Sequence, residues 1–425
     1  MQPLTLRARW VLPVDEPPIV GGYVSVAAGR IAAIGVADPE LGPVQDLGDV
    51  VLIPGLINAH THLEFSELQR PLGERGISLP EWIRLVIGER NRRGRNPQAA
   101  IVAGLAESLN HGVTTIGDIA TTHTTSHAGP DLRPTMLSFQ EAIGFSAGRV
   151  DSVFADVQRR FEESPTPAGL SPHAPYTVHP QLLGRIIQLA VSRGAPVAMH
   201  LAESREELEL LENGGGPFRD LLEERSMWDG DAIPAGTRPR DYLRRLAEAP
   251  RALVIHGNYL AADEIEFVAQ HRKRMSIVFC PRTHAFFGHE PYPLEAMRAA
   301  GVRVAIGTDS RASNPDLGVV GELLHMAMYF PKMAPSEMVR MATLDGAEAL
   351  GLDSEVGSLA VGKRGDLLAI PCDPTDSDPY SALFGWTSEH CRVWVGGREL
   401  GRAHAMDAFF RPERPRCDSP GRSPG

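Results

Sequence analysis

The chain reads as an α/β protein, a (β/α)8 TIM-type barrel carrying a small β-sandwich domain built from both chain ends. Three observations predict it. Short apolar, strand-like runs alternate with helical segments through the middle of the chain; nearly every run ends in a titratable or polar cluster; and half-buried β-texture appears at both ends. An open, doubly wound sheet predicts the same alternation. It would spread the polar run-ends along an edge, whereas a barrel gathers them on one face.

The first 50 or so residues alternate apolar and polar, as in Leu4-Thr5-Leu6-Arg7-Ala8-Arg9-Trp10-Val11, with a turn at Gly29-Arg30. The same texture returns in Asp366-Leu367-Leu368-Ala369-Ile370 and in Arg392-Val393-Trp394-Val395. Because chain termini commonly lie close together, the two stretches are expected to share one sandwich. Between them the strand runs are 52–59, 113–119, 135–140, 168–172, 196–200, 252–256, 276–280 and 302–307. Helices are expected at 80–92, 97–110, 180–193, 203–212, 261–271 and 294–300, with Gly112, Gly194 and Gly301 as stops. The domain reading is therefore 1–53 and 351–410 for the sandwich and 54–350 for the barrel. A tail at 411–425, rich in Pro, Arg, Ser and Gly, reads as disordered.

At 425 residues, 43% hydrophobic and 22% charged, the composition is that of a soluble globular enzyme. The net charge of −11 comes without a basic cluster, so neither nucleic acid nor an anionic membrane surface is an expected partner. A small uncharged or cationic ligand is the simpler expectation. No stretch reaches the apolar length of a membrane span and the N-terminus carries no secretory signal, which makes the cytoplasm the default. Cys280, Cys372, Cys391 and Cys417 form no CxxC pair and are read as reduced thiols. Oligomeric state is not legible here; a homodimer stays open.

The run-ends carry the chemistry. The first ends at His60-Thr61-His62, the third leads into Glu141, the fourth into Ser171-Pro172-His173-Ala174-Pro175-Tyr176 and the fifth into His200-Leu201-Ala202-Glu203. The sixth ends at His256, the seventh precedes Cys280-Pro281-Arg282-Thr283-His284, and the eighth ends at Thr308-Asp309-Ser310. Side chains two apart on a strand point the same way, so His60 and His62 can close on one cation. With His200 and the carboxylate of Asp309 they make a nitrogen-rich set suited to one divalent metal ion, zinc first, iron or manganese also fitting, with room for water. Such a cation lowers the pKa of its water and makes hydroxide available as a nucleophile. Glu203 is placed to shuttle a proton, His256 to orient the nucleophile or steady developing charge, and Asp309 to receive a proton.

This ordered set resembles the amidohydrolase superfamily. The segments HTHLEFS, SPHAPYTVH, HLAES, VIHGNYL and GTDSRASN are similar to its deaminase and chlorohydrolase branch, and most similar to the aminodeoxyfutalosine, adenosylhomocysteine and methylthioadenosine deaminases. Branches that bridge two metals use a carboxylated lysine after strand four. None of the three lysines, Lys273, Lys332 and Lys363, falls there, so a mononuclear site is expected. The resemblance implies deamination of an adenine-type nucleoside: Glu203 protonates a ring nitrogen, hydroxide attacks the amine-bearing carbon and ammonia leaves. It also implies substrate contacts from His173, from Trp82 on a covering helix and from Glu81 as a ribose ligand. Arg282 departs from the branch's CPxSN pattern and is entered with Glu141 and Ser310 as a substrate-side candidate. Displacement of chloride or of an amide nitrogen is the alternative chemistry, and a non-catalytic metal-binding scaffold the alternative class. Blander roles stand beside these: a helix-start acid for Glu203, a core histidine for His256, a core aromatic for Trp82, a structural carboxylate for Glu141, an ion pair for Arg282, and a solvated helix end for the Arg90-to-Arg95 run.

Overall fold

The computed structural model describes residues 3–37, 42–93, 97–122, 133–384 and 391–401. The expected 411–425 tail, Arg95 and Cys417 lie outside the described residues. Eight parallel strands form one sheet: β1 (Leu56–Thr61), β2 (Val113–Ala120), β3 (Thr135–Ala142), β4 (Ala168–Pro172), β5 (Pro196–Leu201), β6 (Arg251–His256), β7 (Met275–Phe279) and β8 (Val304–Ile306), each beside its sequence neighbour. The sheet closes through residues just past β8. Thr61 bridges Asp309, the backbone N–H groups of Thr308 and Asp309 both donate to the His60 carbonyl at 3.1 Å, and Asn58 Nδ2 donates to Thr308 Oγ1 at 2.7 Å. Closure and the proposed ligands therefore share the same few residues.

Inside the barrel, Ile57, Ala59, Phe139, Ala198, Ile255 and Val278 pack with Ala347 and Leu350 of the helix Leu344–Leu350. Their neighbours on the strands, such as Val197, Met199 and Val254, face the surrounding helices. That is the period-two alternation of a barrel wall.

The run 52–59 is two strands rather than one. Val50–Pro54 pairs antiparallel with Leu367–Pro371 outside the barrel, and β1 begins only after Gly55. Gly55 makes the crossing feasible, because a Cβ there would sit 2.1 Å from Thr114 Oγ1. Val50–Pro54 belongs to a six-stranded sheet drawn from both chain ends. It faces a four-stranded sheet of Arg30–Gly35, Tyr23–Ala27, Leu4–Arg7 and Val44–Asp46 across a core that includes Leu6, Val24, Leu52, Leu367 and Trp394.

The helix over 180–193 is observed as Pro180–Arg193, with Gly194 left-handed at its end. Several helices had no expectation, among them Val150–Glu162, Pro217–Glu224, Pro239–Leu246 and Val319–Tyr329. No helix among the described residues is long and apolar enough to cross a membrane.

Candidate active site

The polar run-ends converge where the strands end. His60, His62 and His200 each offer a ring nitrogen within 4.8 Å of the others, and all three are buried. Asp309 Oδ1 lies 3.6 Å from Nε2 of both His60 and His62. Both ring nitrogens of His60 and Nδ1 of His62 are buried without a hydrogen-bond partner. Buried polar atoms are otherwise almost always satisfied, so a set of orphaned imidazole nitrogens beside a carboxylate fits a cation. Burial, reinforced by the neighbouring imidazoles, drives the His62 and His200 pKa values well below the ordinary histidine range, which leaves the rings neutral as metal ligation requires.

Local hydrogen bonds orient the rings. His200 Nδ1 sits 3.0 Å from the His173 carbonyl, so it carries the proton and leaves Nε2 for the site. His173 Nδ1 is 2.7 Å from Thr177 Oγ1, whose hydroxyl donates to the Ala174 carbonyl; the ring thus donates to Thr177 and keeps Nε2 as its free nitrogen. On Asp309, Oδ2 accepts a hydrogen bond from Ser313 Oγ at 2.8 Å, and Ser313 in turn meets Thr283.

Strand alternation would put His256 on the outer face with Ala252 and Val254. A left-handed backbone at φ +67° breaks the alternation, and its ring lines the cavity, with Nε2 3.4 Å from Glu203 Oε1. Ala202 and Asp309 also adopt positive φ, +54° and +55°. Non-glycine residues pay strain for that backbone, and three such residues at three strand ends mark a place where geometry is held against local preference.

The two site carboxylates are pushed apart. Burial, with the charges of Asp309, Glu207 and Glu206 behind it, lifts Glu203 well above the carboxylate range. Burial also acts upward on Asp309, but the neighbouring imidazoles of His60, His62 and His256 outweigh it and hold Asp309 below its usual range. One acid keeps its proton while its neighbour is ionised, which is the division of labour that acid–base catalysis needs.

These groups form one end of a cavity of about 310 Å³, the size range of small-molecule sites. Its wall is largely apolar and aromatic, with Phe65, Trp82, Val86, Tyr176, Leu221 and Met227, and Trp82 is fixed by donating from Nε1 to the Ala312 carbonyl at 3.0 Å. Glu141 and Ser310 line it too. Glu141 is buried, has no hydrogen-bond partner on either oxygen and stands 3.7 Å from Arg90 Nη2. Arg90 is no solvated helix end: it donates to Glu64 at 2.5 Å, lies over Phe65 and forms part of the wall.

Two substrate-side candidates stand elsewhere. Glu81 is exposed, accepts from Ser78 Oγ at 2.8 Å and does not line this cavity. Arg282 is saturated by Glu322 and Asp316, with Nε to Glu322 Oε1 at 2.6 Å and its two terminal nitrogens to the Asp316 carboxylate at 2.9 and 2.8 Å. It faces a larger, separate basin of about 900 Å³ that none of the clustered histidines lines. The ion-pair reading of Arg282 therefore replaces the substrate-side one.

The sequence reading missed Arg149 and Arg225, exposed at the cavity's edge, and the fully buried Glu207. For Glu207 a signal existed in Ser204-Arg205-Glu206-Glu207, a helix-start pattern of hydroxyl and acid three apart.

The profile of the amidohydrolase family matches residues 51–400. The 5-methylthioadenosine/S-adenosylhomocysteine deaminase of Moorella thermoacetica is 29% identical, covering 96% of this chain and 97% of its own length. The aminodeoxyfutalosine deaminase of Deinococcus radiodurans is 31% identical over 78% of this chain and 81% of its own. Among solved structures, Helicobacter pylori aminofutalosine deaminase in complex with methylthio-coformycin superposes with a TM-score of 0.80 at 24% identity, over 93% of this chain and 100% of that one. Atrazine chlorohydrolase from Arthrobacter aurescens superposes with a TM-score of 0.75 at 20% identity, over 93% and 95%. These two structures bear on the fold alone.

Proposed function

The chain belongs to the amidohydrolase family, and from that premise we propose that it is a metal-dependent aminohydrolase of an adenine-type nucleoside carrying a carboxylate on its distal group. The reading rests above all on the contact between Glu203 and His256 beside the three imidazoles and Asp309. His60, His62, His200 and Asp309 would hold one divalent cation, zinc on ligand chemistry, with iron or manganese fitting the same donors. A cation there supplies Lewis acidity and a water acidic enough to ionise near neutral pH.

The protein's own groups then divide the proton work. Glu203, which keeps its proton, delivers it to the ring nitrogen next to the amine-bearing carbon. Asp309, ionised, takes up the proton of the attacking water, and His256 steadies the charge that develops on the new carbon–oxygen bond. Asp309 passes that proton on to the amine, which departs as ammonia, and the remaining hydroxyl proton returns to Glu203 as the carbonyl forms. His173 offers Nε2 to the ring, and Trp82 and Phe65 supply apolar surface for it. The barrel of 54–350 carries this chemistry.

Distal specificity is read from Arg149 and Arg225. Neither guanidinium has a carboxylate partner among the described residues, and both line the cavity. Aminodeoxyfutalosine and S-adenosylhomocysteine carry a carboxylate beyond the ribose, while methylthioadenosine carries none. This favours an anionic tail over the uncharged or cationic ligand that net charge alone suggests. The same proton inventory serves chloride displacement from a triazine ring, which is the second reading. Cys280 and Cys372 carry no disulfide.

The deciding experiment measures ammonia release from aminodeoxyfutalosine, S-adenosylhomocysteine, methylthioadenosine, adenosine, guanine and cytosine, with chloride release from atrazine in parallel. Fastest turnover of a carboxylate-bearing nucleoside is expected. Chloride release without ammonia release would replace the reading with its alternative.

A further inference from the structure

The fully buried Glu207 takes no part in the proton steps above, yet its carboxylate is spent on the backbone that carries Glu203. Oε1 accepts the Ala202 N–H at 2.8 Å and Oε2 accepts the Glu203 N–H at 2.9 Å. An acid three residues into a helix ordinarily reaches back to the backbone of the residue that caps it. Here Ser204 is that cap, accepting the Glu207 N–H at 3.3 Å, and the acid instead reaches past it to the two residues before.

The other side of the same segment is held by the residues after His256. Gly257 N–H donates to the Leu201 carbonyl at 3.1 Å, Tyr259 N–H to the Ala202 carbonyl at 3.0 Å, and Asn258 Nδ2 to the Glu203 carbonyl at 2.8 Å. Ala202 is left-handed at φ +54°, a conformation an alanine keeps only when its surroundings over-determine it. Without Glu207, two buried N–H groups would lose their partner and the strained turn would be free to relax.

We infer that Glu207 is a positioning residue, which fixes the strained Leu201–Glu203 turn so that the Glu203 carboxylate is presented to the substrate in register with His256. The inference rests on the deaminase reading for what Glu203 does, and on geometry alone for what Glu207 does to it. A carboxylate is required because both N–H groups need acceptors. Glutamine offers one, and its amide nitrogen would face the other N–H.

Steady-state kinetics, metal content and amide hydrogen exchange on the full chain test it. Displacement of a proton donor by about 1 Å costs on the order of 10²-fold, so Glu207→Ala should lower kcat by that order with KM and metal content little changed. Glu207→Gln, nearly isosteric, should fall between that variant and wild type, and it carries the test if the alanine variant does not fold. If Glu207 works through Glu203, the double variant Glu203→Gln/Glu207→Gln will be no slower than Glu203→Gln alone. In Glu207→Gln the amides of Ala202 and Glu203 should exchange faster while those of Val197 and Met199 keep their protection. Unchanged kcat with unchanged exchange, or losses that multiply in the double variant, would overturn the inference. A wild type that releases no ammonia would overturn the deaminase reading instead, and amide exchange would still decide the clamp.

Discussion

Nε2 of His256 and Oε1 of Glu203 stand 3.4 Å apart, two buried groups from successive barrel strands whose pKa values move in opposite directions. Burial foremost lowers the imidazole to about 3 and raises the carboxyl well above its usual range, so both shifts favour the uncharged forms, a neutral ring facing a protonated acid. That arrangement supplies a proton and cannot supply a second base. Glu203→Gln keeps the shape and removes the transferable proton. The expected loss is on the order of 10²- to 10⁴-fold in kcat with bound metal unchanged. Near-wild-type turnover in that variant would sink the assignment.

Metal loading gives an independent check. Dialysis against a chelator should abolish ammonia release, and zinc should restore it. His200→Ala should bind metal far more weakly, because Nε2 of His200 is set up as a ligand by the Nδ1 contact with the His173 carbonyl. Elemental analysis of protein purified without chelator should give one ion per chain. A reproducible two would contradict the lysine-free strand-four end on which the single-metal expectation rests.

The edge of the cavity separates substrates by their tails. Arg149→Ala and Arg225→Ala should each raise KM for a carboxylate-bearing nucleoside by roughly tenfold, the scale of a charge-assisted hydrogen bond. Methylthioadenosine offers these guanidiniums nothing and should be turned over by both variants as by wild type. Equal losses on both substrates would mean that the arginines support the loop rather than the ligand.

How far the sequence anticipated these features follows the range of each interaction. Strand runs such as 168–172 and helices such as 180–193 depend on local patterning and end where proline and glycine say they should. His60, His62, His200 and Asp309 were legible because a barrel brings strand ends together whatever the loops between them do. Arg282 was not, since its partners Asp316 and Glu322 lie 34 and 40 residues away and no local pattern connects them. Arg90 sits on a helix whose charged residues look solvated until Glu64, 26 residues earlier, is folded against it. His256 was named from its place at a run-end, but strand parity alone would have turned it outward, and its left-handed backbone, a tertiary outcome, brings it into the cavity.

Acidity should also register in stability, through Asp118. This carboxyl is buried on β2 beside Thr61 of β1, accepts the Leu63 N–H at 3.0 Å and is pushed up to about 8, by burial first and then by the charges of Glu64 and Glu141 against the opposing Leu63 bond. In the unfolded chain an aspartate titrates near 3.9, so between about pH 4 and 8 the folded protein binds the extra proton. Stability from this group is therefore complete below about pH 4 and declines as pH rises through the folded value. Asp345, raised to about 6 chiefly by burial, acts in the same sense. Thermal melting between pH 5 and 8.5, at fixed metal loading, should show the Tm of wild type falling relative to that of Asp118→Asn as pH rises. Asp118→Asn carries no ionisable group at that site, so its curve lacks this contribution. Parallel curves for the two proteins would mean that Asp118 is already ionised in the fold, and that Glu64 and Glu141 are screened from it.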